Sequence, residues 1–219
     1  MTPEETARIK WNESRKNSPD LRLADDLWME YYKPLITDSE GPVIDLGCGG
    51  GYDTEILLEW GMNVISCDYS DVAIDNMRNN YKDKYGDKWK ALCFDMTGPF
   101  PFEDSFTDLM IADLSLHYFT EENTRKIIKE IFRVLKPGGI LLVRVNTPED
   151  TSYGSDSGEE IEPGLRKLSD GRLKRFFNKD DIKRFFTGFD IEEIRKGSMC
   201  RYGPEKKLLI AKIKKGISV

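Results

Sequence analysis

Three aspartates close three short apolar runs in the first half of the chain: Asp45 in "VIDLG", Asp68 in "NVISCD" and Asp95 in "KALCFD". Directly after the first run comes "GCGGG", with glycine at positions 47, 49, 50 and 51. Glycine permits positive φ and lets a ligand lie against bare backbone, and a helix that starts just afterwards offers free N–H groups. That combination binds nucleotides. No Lys-Ser or Lys-Thr follows the loop, which excludes a phosphate-gripping P-loop. The carboxylate of Asp45 repels a diphosphate and attracts a cationic amino group. Asp68 stands 19 residues after Gly49, the spacing at which an acid takes both hydroxyls of a ribose, in NAD or in an adenosyl ligand. Asp95, with the backbone N–H of Met96, suits the rim of an adenine ring.

Such residues act together only if one fold brings the three acids to one edge. The order of elements does so. "GPVIDLG" reads as a strand, "DTEILLEWG" as a helix stopped by Gly61, and "NVISCD" as a second strand. A helix capped by Ser70 and ended by Gly86 leads to the strand "KALCFD". The strand "FTDLMIADLS", the amphipathic helix within "TEENTRKIIKEIFRVLKPGG" and the strand "ILLVRV" follow. Alternation of this kind means crossover units and a mostly parallel sheet covered on both faces, with ligands at the carboxyl edge.

The rest of the chain is organised around this core. Residues 1–38 read as an N-terminal helical extension, with helices over 3–16 and 22–36. Residues 39–147 are the cofactor-binding core, and 148–177 form a polar, glycine-bearing stretch read as an insertion over the site. Residues 178–219 supply a last helix and a β-hairpin, and one domain accounts for the whole. No run is apolar enough to span a bilayer and the N-terminus has no apolar signal core, so the expected compartment is cytoplasmic and no membrane partner is expected. A net charge of -6 argues against nucleic acid as the main partner. One basic cluster, Arg166, Lys167, Arg172, Lys174 and Arg175, reads as a solvated loop or an anion site. Four cysteines without CxxC spacing give no metal site, and Cys48, Cys67 and Cys93 fall on a loop and on strands read as buried.

The stretch 43–146 resembles the class I S-adenosylmethionine-dependent methyltransferases of the small-molecule type. "VIDLGCGGG" is similar to their first motif, "ISCDYS" to their second-strand acid, and "CFDMTGPFPFEDSFTDLMIADLSLHYF" and "RVLKPGGILLV" to their later strands. The tail is similar, more loosely, to tellurite-resistance-type methyltransferases. The resemblance implies a doubly wound α/β fold, a mostly parallel seven-stranded sheet with an antiparallel last strand. It implies S-adenosyl-L-methionine as cofactor and a small-molecule methyl acceptor as partner. Gly47, Cys48 and Gly49 would then pack on the methionine part, with Asp45 at its amino group and Asp113 and Leu114 alongside. Asp68 would hold the ribose, Tyr69 would lie along the adenine, and Asp95 and Met96 would face its edge.

Methyl transfer from a sulfonium is an in-line displacement in which alignment supplies much of the acceleration, and a proton acceptor is required only for a protonated nucleophile. The sole histidine, His117, follows the fourth strand and is either a base at the site or a packing residue. Tyr118, Tyr153, Arg172 and Tyr202 are the candidates for the acceptor pocket. Trp11, Tyr31 and Tyr32 could belong to a lid, although the spacing of the two tyrosines suits core packing. Two other readings stay open. A nicotinamide-dependent oxidoreductase is disfavoured because the loop is GxGxG behind an acid and no Tyr-x-x-x-Lys pair follows the fourth strand. A non-catalytic adenosyl-ligand-binding protein could use the same fold.

Overall fold

The computed structural model describes residues 3–17 and 26–217. Ten strands run in chain order: β1 (Val43–Leu46), β2 (Val64–Asp68), β3 (Trp89–Cys93), β4 (Thr107–Asp113), β5 (Leu135–Asn146), β6 (Glu159–Glu162), β7 (Leu165–Lys167), β8 (Leu173–Arg175), β9 (Phe189–Met199) and β10 (Lys206–Lys215). The main sheet has seven strands in the order β3-β2-β1-β4-β5-β10-β9. Its first five are mutually parallel, and β10 runs antiparallel to both β5 and β9. The order reverses between β1 and β4, which opens a crevice at their carboxyl ends.

Side chains of successive strand residues point to opposite faces, and the two cores follow that parity. Ile44, Leu46, Met110 and Ala112 pack with α5 (Glu121–Val134) and α6 (Lys179–Phe185) on one face. Val43, Leu109 and Ile111 pack on the other, against Ile36 of α2 (Lys33–Thr37), Leu57 of α3 (Tyr52–Glu59) and Met77 of α4 (Asp71–Tyr85). Asp45 shares the parity of Val43, so its carboxyl goes to the α3 side. Caps hold the helices where the sequence placed them: Ser70 accepts from the Ala73 N–H and Thr120 from the Asn123 N–H.

Some local expectations differ from the structure. The helix expected over 22–36 is instead a 3-10 turn at Glu30–Tyr32 followed by α2, because Pro34 sits at the start of α2, where its missing N–H costs nothing. Leu21 and Leu23, which contributed to that expectation, lie outside the described residues. The "KPGG" after α5 is already part of β5. Cys93 is exposed because β3 is an edge strand. The basic cluster is not a solvated loop: β6, β7 and β8 form an antiparallel three-stranded sheet within 148–177, and Lys174 and Arg175 on β8 are buried. Among the described residues, no helix is long and apolar enough to cross a membrane.

Candidate active site

The crevice between β1 and β4 opens into a cavity of about 850 Å³. Its floor is the glycine loop. Gly47 and Cys48 both donate their N–H to the Cys67 carbonyl, at 2.7 and 2.9 Å, which folds the chain back over the end of β2. Gly47 has φ +78°, and a Cβ there would lie 2.3 Å from Cβ of Ser115, so only glycine fits. Asp68 ties the loop to the next helix, accepting from the Gly49 N–H at 2.8 Å and the Ser70 N–H at 2.9 Å. Burial raises its pKa, against those backbone bonds and the charge of Arg15.

Asp45 is 2% exposed and accepts from Thr54 Oγ1 at 2.6 Å. Burial pushes its carboxyl up to about 7, against the Thr54 bond. Opposite the loop, Leu114 leaves β4 at φ +54°, a strained conformation for a branched side chain of the kind that clusters at functional sites. The turn brings Ser115 against Gly47, where Ser115 Oγ is buried with no hydrogen-bond partner among the described residues.

Asp113, just before that turn, sits in a buried ion cluster. Arg144 on β5 donates to it at 2.6 and 2.8 Å and to Asp26 at 2.7 and 3.0 Å. Arg201, between β9 and β10, donates to Asp113 at 3.0 Å and Asp26 at 2.9 Å, and approaches Asp53 at 3.4 Å. Burial raises the Asp113 carboxyl, but Arg144 and Arg201 outweigh it and hold the pKa well below the usual range. Asp53 goes the other way, raised by burial and by the neighbouring charge of Asp113.

The far side of the cavity is aromatic and basic. Trp11, on α1 (Pro3–Asn17), meets the Tyr118 ring edge-on at 5.4 Å, with the Arg172 guanidinium 5.4 Å from its own ring centroid. Tyr153 and Tyr202 join that wall, together with Lys174 and Lys206. The α1 helix is held in place by Asn12, whose amide donates to Asp71 at 2.8 Å while its oxygen accepts from Ser70 at 2.6 Å.

Every residue expected to hold a cofactor, from Asp45, Gly47, Cys48 and Gly49 through Asp68, Tyr69, Asp95 and Met96 to Asp113 and Leu114, lines this one cavity, as do Tyr118, Tyr153, Arg172 and Tyr202. Several carboxylates are already engaged. Asp95 is exposed and caps Thr97 at 2.8 Å, and Asp113 is bound by the two arginines. Trp11 lines the cavity. Tyr31 and Tyr32 do not: Tyr31 is exposed, with Arg195 of β9 4.6 Å from its ring centroid, and Tyr32 lies in the core. His117 is fully buried, outside the cavity wall, and packs on the Tyr118 ring at 4.2 Å. Burial, then the charges of Lys174 and Lys206, push its pKa well down, so the imidazole is neutral.

Sequence reasoning missed Asp53, Arg144, Arg201, Lys206 and the Arg15 guanidinium beside Gly49. Arg144 had left a signal, a charge inside the apolar run "ILLVRV" on what reads as a central strand. Asp53 stands two residues past the glycines, where it reads as an ordinary first-turn acid of α3. Arg15, Arg201 and Lys206 reach the cavity from distant segments and left no signal.

The sequence pattern of a methyltransferase-domain family matches residues 44–143. A tRNA N(3)-cytidine methyltransferase of Gallus gallus is 27% identical over 161 residues, 70% of this chain and 43% of that protein. An uncharacterised methyltransferase of Synechocystis is 34% identical over 109 residues, 49% of each chain. The chain thus spans about half the length of the curated relatives it matches. Among solved structures, a 1,6-didemethyltoxoflavin-N1-methyltransferase of Burkholderia thailandensis, with S-adenosylhomocysteine bound, superposes with a TM-score of 0.74 at 17% identity, covering 99% of this chain and 91% of that one. Topology and likeness agree: the chain has the class I methyltransferase fold, with the methyltransferase-domain match lying over its first five strands.

Proposed function

We propose that the protein is an S-adenosylmethionine-dependent methyltransferase that acts on a small-molecule acceptor. The observation that carries the reading is the division of one cavity into two ends. A glycine loop with Asp45 and Asp68 forms one end, and an aromatic and basic wall forms the other. The first end fits the cofactor: Gly47 leaves no room for a Cβ and, among the described residues, Ser115 Oγ has no hydrogen-bond partner and buried Asp45 has Thr54 alone. Asp45 would meet the amino group, Asp68 the ribose hydroxyls, and Tyr69, Asp95 and Met96 the adenine. Asp113 and Leu114 would shape the methionine side, Asp113 by holding Arg201 in place.

When bound, S-adenosylmethionine supplies a methyl group on a positively charged sulfur. The chain's own part is to align and to exclude water. Trp11, Tyr118, Tyr153 and Tyr202 would close the acceptor end, and a well-aligned nucleophile can gain about 7–11 kcal/mol from positioning alone. His117, buried outside the cavity wall, would support Tyr118 rather than take a proton, so the acceptor would attack already deprotonated or lose its proton to solvent.

Calorimetry with S-adenosylhomocysteine and with NADH tests the cofactor: binding of NADH alone would overturn it in favour of the oxidoreductase reading. Binding without transfer, across labelled-methyl assays on thiols, amines, phenols and metalloid oxyanions, would leave an adenosyl-ligand-binding protein. A second acceptor reading is favoured by the tRNA methyltransferases among the relatives. Transfer to tRNA, with none to small molecules, would replace the first.

A further inference from the structure

Two ammonium groups in the cavity wall have no ion pair with a carboxylate among the described residues. Lys174 Nζ donates to the Tyr153 carbonyl at 3.0 Å and lies 5.1 Å from the centre of the Tyr153 ring. Lys206 Nζ lies 3.8 Å from the same ring centre, and it has no hydrogen bond or ion pair among the described residues. The two residues are 6% and 5% exposed. Of the acids near them, the charge of Asp150 offsets part of the cost for both lysines without an ion pair to either, and the others are held by arginines. Asp150 accepts from the Lys207 N–H at 3.0 Å and from the Asn146 amide, Asp170 pairs with Arg172 at 2.7 Å, and Asp113 is held by Arg144 and Arg201.

Burying one unpaired ammonium costs several kcal/mol, and a second like charge nearby adds to it. Burial depresses both groups, Lys174 to about 7, where the charge of Lys206 adds to the effect, and Lys206 to about 8. A ligand carrying the missing negative charge would relieve that cost. Arg172, whose guanidinium lies 5.4 Å from the Trp11 ring centroid, is a third cation in the same wall of the cavity.

We propose that Lys174 and Lys206 bind an anionic group of the methyl acceptor, a carboxylate or a phosphate, against the ring of Tyr153. The proposal rests on the methyltransferase reading for the word acceptor; the anion site itself stands on the two lysines.

The test uses the full chain saturated with S-adenosylhomocysteine, titrated with inorganic phosphate and with acetate. The expected result is saturable binding of one of the two, weakened at least tenfold by Lys206→Gln and by Lys174→Gln. The affinity for S-adenosylhomocysteine should stay within twofold in both variants, and Lys206→Arg should retain the anion. Preference for phosphate or for acetate identifies the group. Anion binding that is absent, or equal in all variants, overturns the proposal. So does a tenfold loss of S-adenosylhomocysteine affinity in the glutamine variants, which would give the lysines to the cofactor's own carboxylate. So does tRNA methylation that proceeds at the wild-type rate in those variants. If S-adenosylhomocysteine does not bind wild-type protein, the methyltransferase reading fails by itself, and the same titrations on the unloaded chain decide the lysine site.

Discussion

Arg201 donates to Asp113 at 3.0 Å, fastening the turn between β9 and β10 to the end of β4 across 88 residues of chain. The same guanidinium serves Asp26 and Asp53, so its removal leaves Asp26 and Asp113 to Arg144 and Asp53 to the Trp28 indole. Arg201→Ala should destabilise the fold by about 3–5 kcal/mol, the cost of breaking a buried pair from one side. Arg201→Lys should recover only part, since an ammonium cannot bond three carboxylates as a fork does. Urea unfolding decides: an unchanged midpoint for the alanine variant would make the cluster energetically neutral.

Two glycines separate loop geometry from ligand contact. Gly47 and Gly61 both hold positive φ, +78° and +86°, but a Cβ at Gly47 meets Ser115 whereas one at Gly61 meets nothing within 4 Å. Gly61→Ala should cost only the backbone preference, roughly 1–2 kcal/mol of stability, and leave S-adenosylhomocysteine affinity untouched. Gly47→Ala should lower that affinity at least tenfold. Equal effects on binding would mean that the loop is not at the cofactor.

If Asp45 meets the cofactor as proposed, its carboxyl, raised to about 7 by burial, should make cofactor affinity depend on pH. An ammonium ligand favours the ionised form, so binding should weaken as pH falls through 7 and should release a proton near neutrality. Stability should move oppositely. The folded carboxyl holds its proton more tightly than the unfolded one, so stability falls as pH rises from about 4 to 7 through this group. Asp45→Asn should therefore weaken S-adenosylhomocysteine binding by roughly 1.5–3 kcal/mol while flattening both pH dependences. An asparagine variant that keeps the wild-type binding curve would remove Asp45 from the site.

His117 has both ring nitrogens buried without a hydrogen-bond partner among the described residues. Replacing such a group by an apolar one of similar size is close to neutral. His117→Leu should change stability by less than about 1.5 kcal/mol and leave the pH–rate profile as it was. Loss of a limb of that profile would restore the histidine as a base.

The glycine-loop end of the cavity, which we propose holds the cofactor, was legible in the sequence because it is local. A strand, a glycine loop and a capped helix each leave a short-range pattern, and Asp45, Asp68 and Asp95 mark the strand ends by position alone. The acceptor end was not, because it is assembled from α1, from 148–177 and from the turn before β10, whose residues are far apart in the chain. Lys174 reads as one of a run of solvated cations, and only the pairing of β8 with β7 shows that it points inward. His117 misled for the opposite reason: its place after β4 was right, but the turn at Leu114 sends Ser115 to the cavity and the imidazole into the packing.

The strand order carries a consequence for how the molecule comes to exist. β9 borders only β10, and β10 fills the gap between β9 and β5. Residues 189–199 therefore lack their native strand neighbour until 206–215 has been made and has entered between them and β5. The glycine loop belongs to strands made before β9, whereas the cavity wall that carries Lys206 waits for β10.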